Sequence, residues 1–334
     1  MRKTLLFCTL AMYALISCSD DENPVSEPQK PLLPQVKGDT IPSYPLLPGM
    51  SYDPRKPDSR EPLAELENGM KLVWNDEFNE PEGTRPDDAK WTYERGMIRN
   101  NESQCYTDKN AACDGYGNMV IEGRVERVLN PMYKPGGTNW NEKQEYADYT
   151  SASLTTQNKF AFTYGQVIVR AKIPTNTGAW PALWTLGTKY DWPSNGELDI
   201  MEFYINNGTP SIWANACWAS DQAWVGQWNS RAIPFQHFRE NDPEWTEKYH
   251  IWREEWDENS IKIYLDDELL NNIDITGITN GKNIGTGGEG ENPFRHEHYF
   301  LMNLALGAKG GALHNPEFPL HYYIDYVRIY QKPK

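Results

Sequence analysis

The sequence predicts an all-β sandwich, and three observations carry that prediction. Strand-length segments alternate aromatic or branched residues with polar ones, as in Lys159 to Ile173, Ser260 to Leu265 and His321 to Tyr330. Long helical periodicity is absent. Glycine and proline, 25 and 24 of the 334 residues, recur between the alternating segments as turn signals. Period-two alternation turns one side of each strand inward, and two sheets stacked face to face bury a common core. No internal repeat is visible.

Along the chain, the first element is an address. Residues 1–17 begin Met1-Arg2-Lys3, continue through an apolar run from Thr4 to Ile16, and end at Ser17. A basic start, a short apolar stretch and a small residue describe a secretory signal. Leu15-Ile16-Ser17-Cys18 resembles a bacterial lipobox, which implies lipidation of Cys18. Ser19-Asp20-Asp21-Glu22 resembles the acidic export signal of surface lipoproteins. The expected location is therefore the outer membrane facing outward, with the periplasmic face as the alternative.

Residues 18–70 follow as a tether. From Asp20 to Gly69 the chain holds ten of its prolines and no sustained apolar periodicity, a composition suited to a stiff spacer. The folded unit is expected from 71 to 334, within the range of one large β domain. Of five cysteines, Cys8 leaves with the signal and Cys18 takes the lipid. Cys105, Cys113 and Cys217 lack the spacing of a disulfide framework or a zinc site. Cys105 and Cys113 read either as a pair or as buried free thiols.

Charge and composition exclude whole classes of partner. Acidic residues number 47 against 32 basic ones, a net charge of −15, which repels phosphate backbones and argues against nucleic acid. After the first seventeen residues no apolar run approaches the ~20 needed to span a bilayer, so the lipid is the expected membrane contact. Thirteen tryptophans and nineteen tyrosines on so polar a chain suggest flat platforms for a ligand with apolar faces and polar edges, such as carbohydrate.

The densest chemistry lies at Gly196 to Phe203, which reads G-E-L-D-I-M-E-F. In a regular strand Glu197 and Asp199 share a face and Glu202 falls on the other. One inserted residue, a β-bulge around Ile200-Met201, brings Glu197, Asp199 and Glu202 onto one face. Three such carboxylates share protons and titrate as a group. A retaining glycosidase needs this, with one carboxylate attacking and another protonated, the two ~5–5.5 Å apart. An acidic solvated strand or a calcium cluster would use the same residues.

The surrounding motifs resemble glycoside hydrolase family 16, in its laminarinase-like branch with the bulged E-x-D-x-x-E signature. Trp74-Asn75-Asp76-Glu77-Phe78, Tyr149-Thr150-Ser151-Ala152 with Gly165, and Gly178 to Trp184 each resemble a family segment. So do His250 to Trp256 and Ile324 to Tyr330, so that the likeness covers nearly all of 71–332. The resemblance implies a β-jelly-roll sandwich with a concave substrate groove. It implies Glu197 as nucleophile, Glu202 as acid/base, and Asp199 as the residue that tunes the nucleophile. Trp180, Trp184 and Trp192 match tryptophans of the glycone side, and Asn101 belongs to a rim segment that reads equally as a simple turn. Trp218 is counted with the substrate-binding residues. No cofactor is implied for catalysis. Glu77, Gly117 and Asp325 match positions of a structural calcium, for which a buried ion pair is the alternative. Trp74, Trp91 and Trp252 are expected in the core, and His250 as a structural histidine.

Two departures bear on the subsites. Ala216-Cys217-Trp218 stands where many laminarinases have a histidine-bearing strand, and an insertion between Leu129 and Tyr149 is placed to wall one end of the groove. The expected function is a retaining endo-β-glycosidase, with β-1,3- or mixed-linkage glucan as the first substrate class. The second is the poly-N-acetyllactosamine of mucin O-glycans, a β-galactoside. A non-catalytic surface glycan-binding protein is the reading from another class, and transglycosylation would use the same residues.

Overall fold

The computed structural model describes residues 53–282 and 285–333. The leader, Cys18 and the tether up to residue 52 lie outside the described residues. Short strands, with β5 the one long exception, come first: β1 (Lys71–Asp76), β2 (Thr92–Tyr93), β3 (Gln104–Tyr106), β4 (Ala111–Cys113), β5 (Met119–Leu129), β6 (Tyr146–Ser151) and β7 (Ser153–Thr155). Longer ones follow: β8 (Gly165–Lys172), β9 (Ala179–Gly187), β10 (Glu197–Asn206), β11 (Thr209–Ala219) and β12 (Gly226–Pro234). After helix α1 (Phe235–Asn241) come β13 (His250–Trp256), β14 (Ser260–Leu265), β15 (Glu268–Asp274), β16 (His298–Leu306) and β17 (Leu320–Gln331).

These strands make the two sheets of a jelly-roll sandwich. One runs β15-β14-β13-β8-β17-β5-β6-β3, with β1 beside β17 and β4 beside β5; the other runs β12-β11-β10-β9-β16-β7-β2. The facing sides interlock through Leu198, Met201 and Phe203 of β10, Ile212 and Ala214 of β11, and Val167, Val169, Trp252 and Trp256 of the opposite sheet. On β14 the expected alternation is complete, with every second residue buried. Trp91 and Trp252 are buried as expected, and Trp74 packs edge-on against Trp91 at 5.3 Å. His250 is structural too: its Nε2–H donates to the Trp245 carbonyl, its Nδ1 lies against the Asp266 carboxyl, and it stacks on the Trp245 indole.

Strands β8 and β17 depart from alternation, being buried on both faces. The cause is the chain before β1. Residues 53–70 form a strap across the outer face of the ten-stranded sheet, so the boundary expected at 70/71 falls inside the folded unit. Tyr249 donates its backbone N–H to the Pro54 carbonyl at 2.7 Å, and Arg170 donates to the Lys56 carbonyl at 2.8 Å. Asp58 donates its N–H to Asp325, and Arg328 donates to the Arg60 carbonyl. Leu66 and Met70 then close over Ile168, Ile251, Tyr326 and Tyr330 in a second apolar cluster.

The residues expected to hold calcium sit under this strap. Glu77 accepts two hydrogen bonds from the Arg328 guanidinium at 3.0 and 2.6 Å. Asp325 accepts from Arg170 at 2.5 Å, both side chains being almost fully buried. Gly117 lies near Pro57 and Asn79. Guanidinium groups thus take the place a cation would need, and among the described residues no three acidic, histidine or cysteine side chains converge on a metal position. The residues present do not fit calcium; the ion-pair alternative is the arrangement found.

Candidate active site

The carboxylate motif forms β10, and its backbone explains how three acids reach one face. Gly196 takes φ +80 where the chain turns into the strand, and a Cβ there would meet Pro293 at 2.9 Å. Register then runs regularly to Asp199, which pairs with Asn215 of β11 and Trp184 of β9. Glu202 pairs with Trp213 and Ala182. Three steps on β10 therefore match two on each neighbour, so one extra residue is inserted at Ile200-Met201. This is the expected bulge. Glu197, Asp199 and Glu202 face away from the core while Leu198, Ile200, Met201 and Phe203 are buried in it.

Register also fixes what stands beside each acid. Glu197 lies opposite Cys217, and Cys217 opposite Trp228 of β12. Trp184, Asp199 and Asn215 form a second row, and Ala182, Glu202 and Trp213 a third. Trp192, on the loop before β10, donates its indole N–H to Glu197 Oε2 at 2.6 Å. Trp180 donates to Glu202 Oε1 at 2.9 Å. Asn215 donates from one nitrogen to Asp199 at 2.9 Å and to Glu202 at 3.0 Å.

Electrostatics separate the three groups. Burial pushes all of them above the ordinary carboxyl range, because an ion loses hydration it cannot recover. Asp199 rises most clearly: to its burial are added the neighbouring charges of Glu202 and Glu197. Glu202 is pushed to about 7 by burial and then by the charge of Glu197, against the Trp180 hydrogen bond and the nearby Lys309 ammonium. Glu197 rises by burial but is held back by Trp192 and by a hydrogen bond with Asp199. A proton on Asp199 directed at Glu197 leaves Glu197 the most readily ionised and keeps Glu202 protonated up to near neutral pH. The row can thus present a nucleophilic carboxylate beside a carboxylic acid.

The tryptophans divide. Trp180 and Trp184 lie on the open face of the seven-stranded sheet, yet they are only 5% and 7% exposed. Trp184 donates to Asn303 at 2.7 Å and is covered by the Arg99 guanidinium, 5.0 Å from its ring. Trp180 packs edge-on against Tyr204, which stacks on Trp213 at 4.7 Å, with Lys309 above Trp180 and Tyr204. They orient polar groups rather than offer bare faces. Trp192, 37% exposed, does offer one. Trp218 corrects the expectation: alternation along β11 turns it into the core, edge-on to Phe294 at 6.3 Å, away from the carboxylates.

Asn101 sits in a turn. Arg99–Glu102 is a tight turn with both Asn100 and Asn101 at positive φ, closed by a hydrogen bond from Glu102 to Arg99. Asn101 lines a pocket of about 400 Å³ with Ser103, Tyr149 and, from the insertion, Trp140 and Lys143. The insertion thus walls the chain near this turn. Cys105, Cys113 and Cys217 are free and buried. Asn215, Trp213, Tyr204, Arg99 and Lys309 were not singled out in the sequence; only cross-strand register and loop closure bring them to the acids.

The chain matches the model of "Glycosyl hydrolases family 16" over residues 88–280, more than half its length. The chain belongs to that family. It is 31% identical over 291 residues to the glucan endo-1,3-beta-glucosidase A1 of Niallia circulans, covering 79% of this chain and 38% of that protein. A beta-glucanase of Rhodothermus marinus is 30% identical, with 78% of this chain and 85% of that one covered. Among solved structures, one from a study of endo-acting O-glycanases with which human gut microbiota initiate mucin breakdown superposes with a TM-score of 0.70 at 34% identity. It covers 81% of this chain and 94% of the other. Glu197, Asp199 and Glu202 fall within the matched residues.

Proposed function

We propose that this glycoside hydrolase is a retaining endo-β-glycosidase, with Glu197 as nucleophile and Glu202 as acid/base. The observation that carries the reading is the bulged row itself, in which each terminal glutamate has its own tryptophan N–H and its own electrostatic setting. In the first step Glu202 gives its proton to the glycosidic oxygen while the Glu197 carboxylate attacks the anomeric carbon. The leaving sugar departs as an alcohol and an ester joins the sugar to Glu197. Glu202, now ionised, takes a proton from water, which attacks the same carbon and frees Glu197. Two inversions leave the configuration unchanged. Asp199 holds its proton toward Glu197 and steadies the carboxylate as it becomes a leaving group.

The substrate is an internal β-linkage. β-1,3- or mixed-linkage glucan is supported by the relatives at 31% and 30% identity. A second reading, a β-galactoside of mucin-type O-glycans, is favoured by the 0.70 TM-score to the O-glycanase structure. Products from a panel of β-glucans, galactans and mucin glycans, followed by proton NMR, test both the linkage and the mechanism. Release of the β-anomer first supports retention; the α-anomer first rejects it. Tight binding of the panel with no cleavage would favour the glycan-binding class instead. Export and lipid anchoring at Cys18 belong to the same proposal, and labelled palmitate that still enters Cys18→Ala would remove the anchor.

A further inference from the structure

The indole N–H on Glu197 comes from a loop, and a loop must be held if its donor is to stay in place. Trp192 lies within residues 188–196, between β9 and β10, and is 37% exposed, so core packing alone does not fix its ring. A second segment, residues 285–291, is laid against the first. Asp191 donates its backbone N–H to the Thr286 carbonyl at 3.2 Å, and the hydroxyls of Ser194 and Thr286 meet at 2.5 Å. Asn280, almost fully buried, donates to the carbonyls of Ser194 at 2.8 Å and Gly288 at 3.3 Å. It also accepts from the Ala219 N–H at the end of β11.

Tyr190 joins the two segments. Its backbone takes φ +74, a left-handed conformation in which a bulky residue is an outlier, so its surroundings must hold it there. Its ring lies on backbone without side chains: a Cβ at Gly287 would come within 2.8 Å of it, and one at Gly288 within 2.5 Å. Its hydroxyl donates to Glu291 Oε1 at 2.6 Å, and Glu291 also pairs with Lys189 at 3.2 Å and His296 at 2.9 Å. The Tyr190 hydroxyl, then Lys189 and His296, hold the Glu291 carboxyl down at about 2. Glu291 is therefore an ionised acceptor throughout the range in which Glu197 and Glu202 titrate. Among the described residues, neither Tyr190 nor Glu291 bonds to an acid of the catalytic row. The connection runs through one bond, from the Trp192 N–H to Glu197 Oε2 at 2.6 Å.

We propose that Tyr190 and Glu291 are positioning residues that act on the nucleophile through Trp192. Their latch keeps the indole N–H directed at Glu197, so the donor is in place before substrate arrives and needs no rearrangement during attack. A donor on a carboxylate favours its charged form, so losing it lets Glu197 keep its proton to higher pH. The other groups facing Glu197 are untouched by the latch. They are Asp199 and Glu202 on β10, Cys217 on β11, Tyr299 on β16, and the Arg99 and Lys309 cations.

The kinetic consequence rests on the glycosidase reading, and the test keeps the two apart. Glu291→Ala, Glu291→Gln and Tyr190→Phe are compared with the native protein in two measurements. The first needs no substrate: the indole N–H resonance that vanishes in Trp192→Phe is followed through a pH titration of Glu197. In Glu291→Ala and Tyr190→Phe its midpoint should move up by about half a pH unit, and less in Glu291→Gln, which keeps an acceptor for the Tyr190 hydroxyl. The second is the pH dependence of kcat/KM on whichever polymer of the panel the native protein cleaves. Its acid limb should move by the same amount, a loss of about threefold on that limb. In a Trp192→Phe background neither substitution should move the limb further, because the donor they position is gone. The Glu291 side chain stands at the surface, so Glu291→Ala carries the test if Tyr190→Phe does not fold. A midpoint unmoved in these variants overturns the proposal, and so does an equal shift of the limb with and without Trp192. A midpoint that moves while the limb does not would instead take the nucleophile's role from Glu197. Should the native protein cleave nothing in the panel, the glycosidase reading falls while the resonance still decides the latch.

Discussion

Asn215 donates its side-chain N–H to Oε2 of Glu202 at 3.0 Å, from the same nitrogen that stands 2.9 Å from Asp199. A donor aimed at two carboxyl groups favours their ionised forms. In Asn215→Leu that support is gone, so the acid should hold its proton to higher pH. The alkaline limb of the pH–rate profile is expected to move upward, with kcat about tenfold lower at neutral pH from lost positioning. A profile that keeps its shape while kcat falls would reduce Asn215 to packing.

The Glu202 carboxyl, pushed to about 7, sets a second expectation. Activity should fall as pH rises through that region, because the general acid loses the proton it must give. Glu202→Gln should abolish that limb and hurt most with poor leaving groups, sparing activated aryl glycosides. Rates on natural and activated substrates are the comparison, and an equal loss on both would take the acid role from Glu202.

Glu197→Ala should lower turnover by about four orders of magnitude or more, since no ester can form without the nucleophile. Azide or formate added to that variant should enter the vacated space and restore part of the rate on activated glycosides, with inverted product. Turnover near that of the native protein would strip Glu197 of its assignment.

Glu254 offers a prediction about stability rather than rate. It points into the core from β13 between Trp252 and Trp256, fully buried, and neither carboxyl oxygen has a hydrogen-bond partner. Burial pushes it up to about 8 from 4.5. Between those values the folded protein keeps a proton that the unfolded chain gives up, so stability falls as pH rises across that window, by at most about 5 kcal/mol. Glu254→Gln should flatten this fall, and Glu254→Leu should raise Tm throughout. Parallel stability curves for native and Glu254→Gln would show that the buried acid plays no part.

Chelation tests the outer face of the ten-stranded sheet. Because Glu77 and Asp325 are paired with Arg328 and Arg170, a chelator should leave Tm unchanged. Arg170→Met leaves Asp325 buried without its partner and should cost about 3–5 kcal/mol. A chelator-induced drop in Tm that calcium restores would put a cation back in the account.

Much of this was legible in the chain because it is written in local pattern. The alternation in β14, the phase break in Glu197-Leu198-Asp199-Ile200-Met201-Glu202 and the short aromatic segments each announce their structure within a few residues. What escaped depends on which strand lies beside which. Asn215 is ordinary until register sets it between Asp199 and Glu202, and Trp218 is indistinguishable from a surface tryptophan until alternation along β11 is phased. Trp228 gave no periodic signal because β12 is an edge strand, exposed on both faces. The strap at 53–70 read as tether because its hold on the sheet is made by backbone carbonyls and distant arginines, which composition does not reveal.

That strap also lies on one face of the sandwich only. The chain enters the folded unit at residues 53–60 against Tyr249, Arg170, Asp325 and Arg328, on the far side of the sandwich from Glu197 and Glu202. The catalytic row lies on the opposite sheet, so the joins that hold residues 53–60 share no side chain with the partners of the acids.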